Sequence, residues 1–451
     1  MQIIIVGCGK IGTTIAEQLS AEGHDITIVD TNEAVVQSLA ARLDIMGVTG
    51  NGATHTVLIE AGVEEADLLI AVTESDELNL LCCMVGKKAG ADNTIARVRN
   101  PEYSQDINFM KTDLGLAMII NPEYAASTEM ARLLRIPSAI EIDTFGKGRV
   151  ELLEYKIPEN NILSGKTLMD VSRNIKSDVL ICAVERKEEV VIPNGGYELN
   201  AGDIISIVAS TGNARDFFRK VGCNNNGVRD TIIVGGGTIA YYLAKQLIPL
   251  GIKVKIIEKE YARCEELSAM LPEAVIIHGD ATDKDVLLEE GIEKCTSFVS
   301  LTGIDEENAF LSLYAKSVSN AKIVTKINRI SFDDIIEKFD LGSMIYPKHI
   351  TAEYIVRYVR ALQNSYGSNV ESLYKIIHGK AEALEFFVRD ESHITDVTLE
   401  ELPIKKGVLV ACIIRHGKVI IPNGKSTLRK NDSVIIVTTI TGMQNLEDIL
   451  K

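Results

Sequence analysis

Through the first third of the chain, short runs of β-branched and aliphatic residues alternate with longer amphipathic stretches. Residues 3–6, 25–29, 68–72 and 94–98 read as strands, while 11–22 and 34–42 carry apolar residues at helical spacing. That alternation predicts a parallel sheet with helices on both faces. Beyond about residue 135 the pattern changes. Residues 150–157, 180–186, 189–192 and 203–209 read as short strands with one helix near 167–175, which predicts a small α+β domain.

The chain then repeats itself. Val6-Gly7-Cys8-Gly9 recurs as Val234-Gly235-Gly236-Gly237, and Asp30 recurs as Glu258, both 228 positions on. After one inserted residue, Gly50-Asn51 matches Gly279-Asp280, Gly62-Val63 matches Gly291-Ile292 and Thr73 matches Thr302, all 229 apart. At that same offset Ile192-Pro193-Asn194-Gly195 matches Ile421-Pro422-Asn423-Gly424, and Gly202-Asp203 matches Asn431-Asp432. Matches so widely spaced in register predict a tandem duplication of a unit about 225 residues long. The expected fold class is α/β: two doubly wound Rossmann-type domains, 1–135 and 228–362, each followed by a small α+β domain, 136–222 and 363–451. Between the copies, Gly222-Cys223-Asn224-Asn225-Asn226-Gly227 has the composition of a solvated linker.

Length and charge narrow the function. A chain of 451 residues is too long for one core. Its 63 acidic against 47 basic residues, a net charge of −16, oppose a polyanionic partner, so no nucleic acid is expected. No run approaches the roughly 18 to 20 apolar residues of a membrane span, and the start, MQIIIVGCGK, enters a strand at once, which points to a soluble cytoplasmic protein. Eight cysteines (8, 82, 83, 182, 223, 264, 295, 412) show no ligand spacing, nor do seven histidines (24, 55, 278, 349, 378, 393, 416), so free, mostly buried thiols and no metal are expected.

Gly7-Cys8-Gly9-Lys10-Ile11-Gly12 follows an apolar strand and opens a helix, the context a dinucleotide-binding turn requires. Gly7 permits the tight turn, Gly9 lets phosphate approach the backbone, and Gly12 lets the helix pack on the strand. Asp30 ends the second strand, where a carboxylate accepts ribose hydroxyls and repels a 2′-phosphate. In the second copy Gly235-Gly236-Gly237-Thr238-Ile239-Ala240 replaces the third glycine with alanine, and Glu258 supplies the carboxylate. Lys10 can reach a terminal phosphate; Thr238 adds only a hydroxyl. The second copy is thus a nucleotide site with its own ligand preference or a scaffold. Asn51 and Asp280 after the third strand, Thr73 and Thr302 after the fourth, and Arg97 and Lys326 at the fifth complete the recurring polar set.

Catalysis has no counterpart in these motifs. A dehydrogenase needs a general acid or base beside its cofactor cleft. The chain has no Ser/His/Asp, HExxH or P-loop signature, and His55, beyond the third strand, is replaced by Lys284 in the second copy, as expected of a solvated loop histidine. No enzyme activity is expected; an NAD-linked oxidoreductase is the alternative.

With this order established, the chain resembles the TrkA family, the peripheral regulatory subunits of bacterial Trk potassium-uptake systems, built from two tandem RCK modules. The resemblance covers essentially the whole length. It rests on GCGKIG with Asp30, on Gly50-Asn51-Gly52-Ala53-Thr54-His55 with Val57-Leu58 and Ala61-Gly62, on Ala71-Val72-Thr73-Glu74-Ser75-Asp76-Glu77-Leu78-Asn79, and on Ala96-Arg97-Val98-Arg99 before Pro101-Glu102-Tyr103. It implies a cytoplasmic ring, a homodimer or homotetramer, peripheral to the inner face of the membrane. The ring binds NAD(H) and ATP or ADP and gates a membrane-embedded potassium-transporting partner. The implied nucleotide contacts are Gly7, Cys8, Gly9, Lys10, Ile11, Asp30, Asn51, Thr73 and Arg97, then Gly235, Gly236, Gly237, Thr238, Ile239, Glu258, Asp280 and Thr302. Control of a different transporter or channel through the same modules is a further alternative.

Overall fold

The computed structural model describes residues 1–103, 111, 113–146, 148–187, 189–223, 227–328, 341–364, 370–377, 379–389, 392–443 and 445–451. Asn224, Asn225 and Asn226 of the expected linker lie outside them. Two compact units are formed, Met1–Ala131 with Arg229–Val356 and Arg132–Val228 with Arg357–Lys451. Like parts of the two copies therefore fold together: the large lobes share one unit and the small lobes the other.

In the first large lobe six parallel strands, Gln2–Val6, Asp25–Asp30, Met46–Thr49, Leu68–Ala71, Asn93–Arg97 and Met118–Ile120, stand in the spatial order 3-2-1-4-5-6. The second lobe repeats the order with Asp230–Val234, Lys253–Glu258, Val275–His278, Ser297–Ser300, Lys322–Lys326 and Ser343–Ile345. Ile3, Ile4, Ile5 and Val6 are all buried, as are Leu68, Leu69, Ile70 and Ala71. Such unbroken apolar runs belong to parallel strands covered by helices on both faces, and the Rossmann-type expectation holds.

In the other unit each small lobe carries a five-stranded sheet; its core strands Val150–Lys156, Val179–Arg186 and Ile204–Ser210 pair antiparallel, as do Ala381–Phe387, Val408–Arg415 and Ser433–Thr438. The two sheets share one apolar core, with Phe145, Leu152 and Cys182 packed among Tyr374, Ile376 and Cys412. Repeat-related hydrogen bonds lock the pair. Glu154 accepts from the Ile377 amide at 2.7 Å, and Glu385 accepts from the Gly146 amide at 3.2 Å.

Two sequence expectations need correction here. The first small lobe has two helices, Leu168–Ile175 and Thr211–Lys220, where the pattern suggested one. The second forms because Ser210 caps it, accepting from the Asn213 amide at 3.4 Å, and because Phe217 and Phe218 bury fully beneath a charged outer face. His55, expected in a loop, begins the short helix His55–Glu60, where it is exposed. The copies have also diverged: no α-helix stands between strands Ala381–Phe387 and Val408–Arg415 among the described residues.

A cation-lined cleft shared by two glycine loops

Each glycine motif lies where its lobe's first strand ends, flanked by the second and fourth strands, which is the switch point of a doubly wound sheet. Gly7 and Gly235 hold φ of +100° and +95°. A side chain there is strained, and its Cβ would come within 2.9 Å of the backbone that follows the fourth strand, at Thr73 or Leu301. At Gly12 a Cβ would sit 1.9 Å from the Gly7 carbonyl oxygen. Gly9 and Gly237 differ in kind: nothing lies within 4 Å of the position a Cβ would take. Their backbone faces open space, as a phosphate-approach position requires.

The helices that follow, Lys10–Ala21 and Thr238–Leu247, begin at Gly9 and Gly237 with no side-chain cap and no acidic residue in the first turn. Two longer helices of the first lobe, Glu33–Leu43 and Asp76–Ala89, are capped by Asn32 and Ser75, while the short helix His55–Glu60 has no side-chain cap. First-turn amides without a capping side chain, at the positive end of the helix dipole, are an anion-binding surface.

The two carboxylates that end the second strands meet the loops directly. Asp30 accepts from the Cys8 amide at 2.6 Å and from the Asn32 amide at 2.9 Å; Glu258 accepts from the Gly236 amide at 2.6 Å and from the Glu260 amide at 2.7 Å. Cys8 itself is buried, and burial with the nearby Asp30 charge pushes its thiol up to about 12. That leaves it an inert spacer, not a nucleophile.

Thr73 and Thr302 are fixed by two asparagines outside the motif. Asn79 accepts from the Thr73 amide at 2.7 Å and donates to the Arg97 carbonyl at 3.0 Å; Asn308 accepts from the Thr302 amide at 2.8 Å and donates to the Lys326 carbonyl at 3.0 Å. These buried amides tie the end of the fourth strand to the end of the fifth. Arg97 and Lys326 then turn back over the loop, donating to the Thr73 carbonyl at 2.8 Å and the Leu301 carbonyl at 3.1 Å. Burial lowers the pKa of both cations.

A cleft of about 620 Å³ opens between the lobes, and both loops line it. Gly9, Lys10 and Ile11 face Gly237, Thr238 and Ile239, with Arg97, Arg99, Lys326 and Lys348 supplying further positive charge against Glu74 and Glu123. Five cations against two carboxylates reverse, locally, the chain's overall negative balance. Arg97 Nε, Arg99 Nε and Glu123 Oε2 are buried there without a hydrogen-bond partner. Open backbone at the glycines, uncapped amides and two guanidinium groups, of which Arg99 also pairs with Asp76 at 3.7 Å, together fit the phosphates of a nucleotide. Burial raises the Glu123 carboxyl pKa in spite of Arg99 and Arg97 beside it.

The cleft gathers Gly9, Lys10, Ile11, Arg97, Gly237, Thr238, Ile239 and Lys326 from the sequence-derived set. Asp30 and Glu258 stand behind the loops. Asn51 and Asp280 lie at the far ends of the third strands, their carboxamide or carboxylate turned to local backbone: Asn51 accepts from the Ala53 amide at 3.0 Å and Asp280 from the Thr282 amide at 3.0 Å. Asp280 also pairs with Lys259 at 2.7 Å, which holds its carboxyl down at about 2. Sequence reasoning missed Arg99, Glu123 and Lys348. Pro122-Glu123 and Pro347-Lys348 are repeat equivalents, but the offset there falls to 225 and the charge changes sign.

Comparison with known proteins agrees with this geometry. The family model for the TrkA-N domain matches residues 3–122 and 231–347, and that for the TrkA-C domain matches 152–222 and 383–451. A Trk system potassium uptake protein TrkA homolog of Archaeoglobus fulgidus is 33% identical over the whole of both chains. The TrkA of Halomonas elongata is 32% identical over 97% of this chain and 95% of its own. Among solved structures, the GsuK channel bound to NAD superposes with a TM-score of 0.63 at 17% identity, covering 97% of this chain and 76% of that one. GsuK bound to ADP superposes at 0.50 and 16%, covering 81% and 69%. A likeness at that identity speaks for the fold, while the domain models and full-length relatives decide the family. With two TrkA-N lobes closing one cleft and two TrkA-C lobes sharing one core, the chain belongs to the TrkA family of Trk-system potassium uptake proteins.

Proposed function

We propose that the protein is a nucleotide-sensing regulatory subunit of potassium uptake, binding NAD(H) and ATP or ADP at its glycine loops and acting on a membrane-embedded Trk-type transporter. The observation that carries this reading is the cation-lined cleft into which both loops open. The similar GsuK structures, solved bound to NAD and to ADP, support the ligand class. No helix among the described residues is long and apolar enough to cross a membrane, which is consistent with a peripheral, cytoplasmic subunit reaching the membrane through its partner. No group of three metal-binding side chains occurs among the described residues, and no general acid or base is needed for a regulator. The duplicated architecture suits a closed symmetric assembly, a homodimer or homotetramer.

A ligand shifts a conformational equilibrium only by its differential affinity for the two states. ATP and ADP differ in one phosphate. In this geometry the cations able to register that phosphate come from both lobes: Lys10 and Arg97 from the first, Lys326 and Lys348 from the second. A third phosphate held by Lys10 draws on the opposite wall, so its presence favours lobes close together. Calorimetric titration of the full chain with ATP, ADP, NAD and NADH tests the reading, using Asp30→Ala and Glu258→Ala. Each substitution is expected to weaken one binding event by tenfold or more, and unchanged affinity for all four ligands in both variants would sink the sensor.

A further inference from the structure

The two lobes differ most at the end of the site away from the phosphates. Beyond Glu258 the chain carries Lys259, Tyr261 and Arg263, where the first lobe has Thr31, Glu33 and Val35; His278 ends the third strand, where the first lobe has Thr49. Tyr261 opens the helix Tyr261–Met270 and is 61% exposed. Its ring meets that of His278 edge-on, centroids 5.4 Å apart. His278 is held in turn by a 3.2 Å contact from Nε2 to the Lys259 carbonyl. Arg263 reaches back to the glycine loop, its Nε donating to the Gly236 carbonyl at 2.8 Å while Nη1 pairs with Glu266 at 2.7 Å.

Tyr261 and His278 meet beyond the third strand, while Arg263 stands on the side of the glycine loop. In a doubly wound lobe the phosphates lie on the glycine loop and the ribose on the carboxylate that ends the second strand. The base must then lie beyond the ribose, outside the ends of the second and third strands. Glu258 and His278 are register partners at those two ends. We infer that the second lobe binds the purine base of its nucleotide against Tyr261, His278 and the Arg263 guanidinium, a stacking wall that the first lobe lacks. The inference rests on the second lobe being a nucleotide site, as proposed above.

Aromatic and guanidinium faces stack on bases, and their contribution is largely independent of the phosphates. The division of labour that results is physical. The first lobe has Lys10 at the phosphate end and no aromatic at the base end. The second has Thr238 at the phosphate end and places its specific contacts at the base. Ligands with different phosphate number but the same base should therefore be separated by the first lobe and tolerated by the second. Lys259, beside this wall in sequence, is paired with Asp280 at 2.7 Å.

The test uses the full chain carrying Asp30→Ala, so that the second lobe dominates, and 1,N6-ethenoadenosine diphosphate as a fluorescent probe whose emission is quenched by stacking. The probe is expected to bind with quenching, to lose about tenfold or more in affinity together with the quench on Tyr261→Ala, and to retain both on Tyr261→Phe. Arg263→Met should weaken it in the same direction, while a ribose phosphate lacking a base should bind both Tyr261 forms equally. Binding that depends on Glu258 but stays within twofold on Tyr261→Ala, quench intact, overturns the stacking wall alone. Absence of any Glu258-dependent binding removes the second site itself, and the inference with it.

Discussion

Adding one methyl group at Gly12 probes the first loop where it has least room. The Cβ of alanine would stand 1.9 Å from the Gly7 carbonyl oxygen and 3.3 Å from a Val72 methyl. A side-chain neighbour could rotate away, but a carbonyl in the phosphate loop can move only with the loop. Overpacking of this kind costs about 1–3 kcal/mol, and contact with backbone puts Gly12→Ala in the upper half of that range. For a unit of this size about 2–3 kcal/mol corresponds to a fall in Tm of roughly 4–10 °C. The displaced loop also carries Gly9 and the first amides of the helix, so the Asp30-dependent nucleotide event should weaken about tenfold. The second lobe supplies the control. Ala240 already occupies the matching position, fully buried and accommodated, so Ala240→Gly should cost only the roughly 0.5–1 kcal/mol of a glycine in a helix. Thermal unfolding followed by circular dichroism and calorimetric titration with ATP read both effects. A Gly12→Ala chain that melts within about 1 °C of the parent and binds ATP equally would refute the packing role assigned to the third glycine.

Two further outcomes concern buried charge. Burial raises the Glu123 carboxyl pKa, so its contribution is fully present below the ordinary glutamate range and is lost as pH rises through the raised value. Glu123→Gln is therefore expected to raise Tm at pH 8, to leave it nearly unchanged at pH 4, and to tighten ATP binding by removing a carboxylate from the cleft; equal shifts at both pH values contradict this. Lys322, buried with its Nζ donating to Ser343 at 2.9 Å, is pushed down to about 8, so the stability it permits is lost as pH falls through that value. Lys322→Met should accordingly gain more in Tm at pH 7 than at pH 10, and a gain independent of pH would argue against burial as the cause.

The glycine loops, the strand-end carboxylates and the duplication were legible because each rests on local rules. A loop that must turn sharply needs glycine at Gly7, and a left-handed turn before a buried aspartate needs Gly202 in one copy and Asn431 in the other, at φ of +88° and +69°. Those turns set Asp203 and Asp432 to receive Arg186 and Arg415, each at 2.7 Å, which is why the repeat survives there. The shared cleft was not legible. Periodicity assigns residues to faces of one lobe and says nothing about which lobes face each other, so Glu123 and Lys348 had no sequence signal beyond an imperfect repeat, and Arg99 none beyond its place in the run Ala96-Arg97-Val98-Arg99. The helix Thr211–Lys220 was hidden because Gly212 interrupts its first turn, and a cap plus two buried phenylalanines outweigh that interruption.

One cleft for two loops makes independence between the sites physically difficult. Two unit charges about 8 Å apart repel by about 2 kcal/mol at an effective dielectric of about 20, and each nucleotide brings more than one charge. Five cations offset part of that repulsion, but among the lining residues they are not evenly divided: Lys10, Arg97 and Arg99 stand on the first lobe with Glu74 and Glu123, Lys326 and Lys348 on the second, where Asp305 acts on Lys326 from outside the lining. A phosphate chain on the first loop consequently has its countercharge partly across the cleft. Whatever it takes from Lys326 and Lys348 is withdrawn from a nucleotide on the second loop, whose own motif has Thr238 in place of a lysine. If both loops bind nucleotide as proposed, binding at one is expected to change affinity at the other, by the same factor in both directions. The comparison of Asp30→Ala with the parent in the nucleotide titrations reads that factor. A second lobe that binds largely through its base is the arrangement least disturbed by such competition, because stacking on Tyr261 needs none of the shared cations.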